Sequence, residues 1–277
     1  MEIVDTHCHI HEILSGDRAM AEVPVHDKWH KAGKTDPDVV IADAAAAGVT
    51  RLVCVGTTVE DSELAVAFVQ DRDSCWATIG IHPHEAARYR GDHAALERFE
   101  ALATRNKVVG VGECGLDYYY GHSPKEDQIA MLRYQIELAL RYDLPMTFHV
   151  RDAFDDFWQV FDEYQGIRGV VHSFTADKHV LAQALERGLY IALNGIMTFT
   201  KDAGQLEAAR LVPLDRLVVE TDAPYLTPKP YRGNICEPRH AATTLSFVAN
   251  LYQTDSVTEA EVARATTANA RRLFNLA

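Results

Sequence analysis

The 277-residue sequence has no C-x-x-C pair; its five cysteines, Cys8, Cys54, Cys75, Cys114 and Cys236, are scattered. That spacing argues against a disulfide framework or a thiolate zinc site and for reduced thiols. No apolar run approaches the roughly 20 residues that a membrane span needs. The opening "MEIVDTHCHI" lacks the basic start and long apolar segment of a signal peptide, so an intracellular location is expected, away from any membrane. Positive charge is scarce: 27 Lys and Arg stand against 40 Asp and Glu, for a formal net charge of −13. Broad wrapping of duplex DNA takes many cationic contacts to phosphates and is disfavoured. A local site where metal ions supply the positive charge stays open. Internal repeats, low-complexity tracts and linker-like stretches are also missing, so residues 1–277 read as a single domain, with no obligate protein partner evident.

What is present is a rhythm. Strand-type runs stand at 2–5, 51–56, 75–80, 107–112, 144–150, 168–174, 189–194 and 216–221. Between them lie amphipathic stretches such as "SELAVAFVQDR" and "QIAMLRYQIELALRYD", with apolar residues recurring every three and four positions. Eight apolar strands alternating with helices predict an α/β fold of the (β/α)₈ TIM-barrel type, with a doubly wound open sheet as the competitor. The stretches "EPRHAATTLSFVANLYQ" and "TEAEVARATTANARRLFNL" predict a C-terminal helical closure. One segment breaks the rhythm: residues 11–35 form an extended polar loop after strand 1, with Trp29 near its middle. A lid over the strand ends is one reading of it; a surface excursion or oligomer contact is the other.

Chemistry-bearing residues gather at strand ends. In "DTHCHI", His7 and His9 are two apart, so in an extended segment both point to one side, their Cα atoms about 6 to 7 Å apart. Glu113 follows strand 4, His149 ends strand 5, His172 ends strand 6 and Asp222 follows strand 8. In barrels of this type the C-terminal strand ends carry the active site, so residues distant in sequence meet there. Core hydrogen bonding for His149 and His172, and a helix cap at Asp222, are the ordinary alternatives. Six N and O ligands exceed what one tetrahedral ion takes and divide into two sites sharing a carboxylate. The expected sets are His7, His9, Glu113 and Asp222 for one ion, and Glu113, His149 and His172 for the other. Glu113 bridges, and Asp222 doubles as the acceptor of a proton from the attacking water. Two divalent ions per subunit, zinc, manganese or magnesium, suit these donors. They would clamp the oxygens of a hydrolysis while lowering the pKa of bound water.

Eight ordered motifs extend this picture. They are "DTHCHI", "GIHPHEA", "VGECGLDYYY", "FHVRDA", "VVHSF", "NGIMTF", "PLDRLVVETDAPYLTP" and "TTANARRLFNL", running from residue 5 to residue 276. In them the chain resembles the TatD-family metal-dependent deoxyribonucleases of the amidohydrolase superfamily. The resemblance implies a cytoplasmic barrel whose ligands fall on His7, His9, Glu113, His149, His172 and Asp222. It also implies magnesium- or manganese-dependent removal of nucleotides from DNA 3′ ends. Motif positions suggest substrate contacts at His82 and His84 by the strand 3 mouth. Arg151 and Arg232 would meet phosphate oxygens through a planar fork, and Tyr118 would offer a stacking face. Tyr119 and Tyr120 read as packing or surface residues. Three departures bear on substrate choice: His11 stands where the family has an acid or amide, Cys236 replaces an asparagine, and the 11–35 loop is long. Two other functions stay open. One is hydrolysis of a small ester, amide or phosphate on the same fold; the other is a metal-braced protein without catalysis.

Overall fold

The computed structural model describes residues 1–16, 25–252 and 257–276. Short runs rich in Val, Ile and Leu form eight strands: β1 (Ile3–Cys8), β2 (Val49–Val55), β3 (Cys75–Ile79), β4 (Val108–Asp117), β5 (Met146–Arg151), β6 (Gly169–Val171), β7 (Tyr190–Leu193) and β8 (Leu217–Val219). Every residue of β1, β3, β6, β7 and β8 is buried, as parallel strands covered on both faces require. The strands follow one another in the sheet in sequence order, β1 to β8. Between and after them lie α1 (Val25–Lys31), α2 (Pro37–Ala46), α3 (Val59–Val69), α4 (Ala86–Tyr89), α5 (His93–Leu102), α6 (Lys125–Arg141), α7 (Phe154–Phe161), α8 (Lys178–Glu186), α9 (Ala203–Leu211), α10 (Ala241–Leu251) and α11 (Glu259–Phe274). No described helix is long and apolar enough to cross a membrane.

The described chain divides into two compact units. The first, residues 1–54 with 173–272, holds β7, β8, β1 and nearly all of β2. Parallel pairing joins β7 to β8 and β1 to β2, and a bridge from Cys8 to Ala223 ties β1 to the residues following β8. The α10 helix packs against β1 and β8. The Asn269 amide on α11 donates to the carbonyls of Leu214 and Leu217 at 2.7 and 2.8 Å, closing the entry to β8 as the C-terminal helices were expected to do. Asp36, Asp177 and Asp202 cap α2, α8 and α9 by accepting backbone N–H groups. Such caps are each worth about 1 kcal/mol.

The second unit, residues 55–172 with 273–276, holds β3 to β6 in consecutive parallel pairs. Its α3 and α5 are capped by Thr58 and Asp92. β4 runs five residues beyond the end read from sequence, to Asp117. The glycines of "GVGECGL" look like a loop, but pairing with β5 continues through Asp117 opposite Arg151.

The 11–35 segment also differs from expectation. Residues 17–24 lie outside the described residues, but a 3₁₀ turn (Ile10–Leu14) and α1 order much of the rest. Trp29 is fully buried, and its indole N–H donates to the His9 carbonyl at 3.2 Å. A residue so held braces the backbone at His9.

Candidate metal centre

In the first unit, alternation along β1 sends Asp5 and His7 to the same side, and His9 follows just past the strand end. The two imidazoles meet at 3.3 Å between their Nε2 atoms. Asp222 Oδ1 lies 3.7 Å from His7 Nε2 and 3.5 Å from His9 Nε2. Two backbone bonds hold this convergence: Asp222 N–H donates to the His7 carbonyl and His9 N–H to that of Ala223, both at 2.8 Å. Asp222 accepts a left-handed backbone (φ 61°) to make that turn. One ligand atom from each of His7, His9 and Asp222 lies within 4.8 Å of the others. Two imidazole nitrogens and a carboxylate oxygen at that spacing fit a divalent ion.

Asp5 supports this set from below. Its carboxylate accepts from His7 N–H at 3.2 Å, Thr221 N–H at 2.9 Å and the Thr221 hydroxyl at 2.6 Å. Complete burial pushes its pKa up to about 8 against those three hydrogen bonds. Cys236 is buried against the same turn; its N–H donates to the Pro224 carbonyl, and burial pushes its thiol well above the usual range. His11 is buried too, its ring centroid 6.2 Å from that of His9.

In the second unit, Glu113 Oε1 is the meeting point. His149 Nδ1 lies 2.8 Å from it, His82 Nε2 3.5 Å and His172 Nε2 3.7 Å. One ligand atom from each of His82, Glu113 and His149 again falls within 4.8 Å of the others. Glycines make the room: a Cβ at Gly80 would collide with the Glu113 backbone, and one at Gly115 with the His149 carbonyl oxygen. Burial pushes His82 down to about 4, with the Glu113 charge opposing. For His149, burial acts downward but hydrogen bonds to Asp117 and Glu113 outweigh it, giving about 8.

Strand parity reaches a residue that the motif reading leaves out. Asp117 stands four positions after Glu113 on β4 and so shares its side. It is fully buried, and its Oδ2 lies 3.0 Å from His149 Nε2 and 3.1 Å from His84 Nε2. Its Oδ1 accepts the N–H groups of Tyr119 and Tyr120, each at 3.0 Å. Burial acts upward on this carboxyl, but bonds from His149, His84 and the Tyr120 N–H outweigh it and hold it well below the usual range. Asp5, two positions before His7, was legible by the same parity.

The remaining expected contact residues are dispersed. His82 sits within the Glu113 set and His84 on Asp117. The Tyr118 hydroxyl donates to Asp156 at 2.7 Å, and the Lys125 ammonium covers its ring at 3.8 Å. Arg151 lies over Tyr119 at 4.0 Å. Arg232, in the first unit, lies over Phe199 at 4.0 Å and donates to the Thr227 carbonyl at 3.2 Å.

Comparison with known proteins places these sets in context. Residues 4–275 match the family model described as TatD related DNase. An uncharacterized metal-dependent hydrolase of Bacillus subtilis strain 168, YabD, is 35% identical over 244 residues, 87% of this chain and 94% of its own length. The 3′-5′ ssDNA/RNA exonuclease TatD of Cronobacter sakazakii is 36% identical over 86% of this chain and 92% of its own. The solved structure of YJJV, a TatD homolog from Escherichia coli K12, superposes with a TM-score of 0.83 at 26% identity, covering 99% of this chain and 98% of that one. Likeness over that extent shows the (β/α)₈ barrel fold which the alternation of strands and helices predicts.

Proposed function

This chain belongs to the TatD-related DNase family and is a metal-dependent hydrolase acting on ester bonds; we propose that it removes nucleotides from the 3′ ends of single-stranded DNA. The observation that carries this reading is the pair of donor sets, His7, His9 and Asp222 in one unit and Glu113 with His149 and His172 in the other. Each set would hold one divalent ion, Mg²⁺, Mn²⁺ or Zn²⁺. When bound, such ions supply Lewis acidity toward phosphoryl oxygens and make water more acidic. The Cronobacter relative's name supports the polarity and the single-stranded substrate. A cytoplasmic location belongs to the same reading, in keeping with five buried cysteines.

The chain's own groups divide the remaining work. Asp117 takes His149 Nε2–H at 3.0 Å, so that an ion bound on the Glu113 side would displace the Nδ1 proton and find a lone pair there. Asp222, partly buried beside the His7 and His9 imidazoles, accepts the proton of the attacking water at a carboxylate oxygen. His82 is kept neutral by burial and donates or accepts one hydrogen bond to substrate without adding charge. Arg151 and Arg232 meet phosphate oxygens of the strand.

Activity on oligonucleotides labelled at either end, with each of the three ions, tests the proposal. The expected product from a 5′-labelled single strand is a descending ladder. Glu113→Gln slows its formation about a hundredfold or more, since even an outer-sphere partner of a ligand is worth roughly 10- to 100-fold. An enzyme that spares DNA with every ion but hydrolyses small phosphomonoesters or carboxylic esters overturns the substrate class. Equal rates for Glu113→Gln and wild type overturn the site.

A further inference from the structure

Two tyrosines stand out on the second unit. Tyr119 is 60% and Tyr120 53% exposed, and the other large apolar side chain exposed among that unit's described residues is Leu140 at 36%. Their rings meet edge to face at 4.9 Å and 88°. The Arg151 guanidinium covers both, 4.0 Å from the Tyr119 centroid and 4.8 Å from that of Tyr120. His122 lies nearly parallel to the Tyr120 ring, 5.8 Å away at 16°. Exposed aromatic faces held rigid by a cation make a preformed stacking surface.

The position of this surface gives it an occupant. Asp117 binds the Tyr119 and Tyr120 N–H groups with one oxygen and His149 with the other, so a single carboxylate joins the aromatic turn to the Glu113 set. Arg151 is two residues beyond His149 on β5 and opposite Asp117 in register. A molecule reacting at Glu113 and His149 therefore has the tyrosines beside it. The net charge of −13 denies the chain general electrostatic capture of a polyanion, leaving local contacts to supply affinity. Every nucleobase has a flat π face, so stacking serves a strand of any sequence.

We propose that Tyr119, Tyr120 and Arg151 form a stacking subsite for unpaired nucleobases. This deepens the nuclease reading and rests on it. Tyr118, the stacking residue suggested by the motif, is engaged with Asp156 and Lys125 instead.

Fluorescence anisotropy of 5′-fluorescein hexathymidylate, compared with a hexamer of abasic tetrahydrofuran units carrying the same phosphates, tests the subsite in EDTA, where no strand is cut. Wild type binds the base-bearing strand about tenfold more tightly. The double variant Tyr119→Ala/Tyr120→Ala loses that preference, and Tyr119→Phe/Tyr120→Phe keeps it, with thermal melting confirming that both variants fold. Equal affinity of wild type for the two strands, or an intact preference in the double alanine variant, overturns the proposal. Strand hydrolysis is followed separately: its absence beside an intact base preference overturns the nuclease reading and supports the subsite as a binding surface.

Discussion

Asp117 divides its carboxylate between two tasks, and a single-atom substitution separates them. In Asp117→Asn the remaining oxygen still accepts from Tyr119 and Tyr120, while the new amide donates toward His149 Nε2. That reverses the hydrogen bond and moves the ring proton to Nδ1, where a ligand needs a lone pair. Calorimetric titration with Mn²⁺ is expected to show affinity at the second unit's set reduced about 10- to 100-fold, with the melting temperature close to wild type. Unchanged affinity would remove Asp117 from the positioning role. At this scale the sequence was informative about residues that share a motif. His7, His9, Glu113, His149, His172 and Asp222 could be picked by strand-end placement; within the first unit His7, His9 and Asp222 converge, while in the second the group around Glu113 and His149 includes His82, with His172 Nε2 3.7 Å from Glu113. Exposure was not legible: of three consecutive tyrosines, Tyr118 is partly covered and the next two are open, which depends on where Lys125, Asp156 and Arg151 fall in space.

Elements explain how such sets are kept in register. β4 and β5 pair from Val111 opposite Met146 to Asp117 opposite Arg151, carrying Glu113, Asp117 and His149 on adjacent strands. Gly115 makes that approach close, because its φ of 148° and the neighbouring His149 carbonyl leave no space for a Cβ. Gly115→Ala is therefore expected to lower the melting temperature, followed by circular dichroism, by about 2 to 5 °C, as overpacking of 1–3 kcal/mol implies for a chain of this length. A melting temperature within about a degree of wild type would show that the strands separate more readily than this packing suggests. Strand existence was readable from apolar runs, whereas the end of β4 was not, because its glycines mimic a turn until a partner strand is present. Likewise "VHDKWHK" is too short for helical periodicity to declare itself, and α1 forms around the burial of Trp29.

For the whole molecule, alternation of strand and helix was enough to predict the fold class, since eight parallel strands in sequence order leave few alternatives. Composition excluded rather than identified: an acidic chain without basic tracts does not bind nucleic acid by charge alone, so its chemistry has to be local. Substrate class lies beyond both composition and fold, because one barrel serves many reactions and only the site distinguishes them. The central claim is that His7, His9 and Asp222, and separately Glu113, His149 and His172, hold the ions that make this chain a hydrolase. Anomalous scattering from crystals of the full chain grown with Mn²⁺ tests it most directly. The predicted result is two anomalous peaks per chain, one bonded by each set at ligand distances of about 2.0 to 2.3 Å. Peaks confined to other carboxylates, or none at either set, would contradict it.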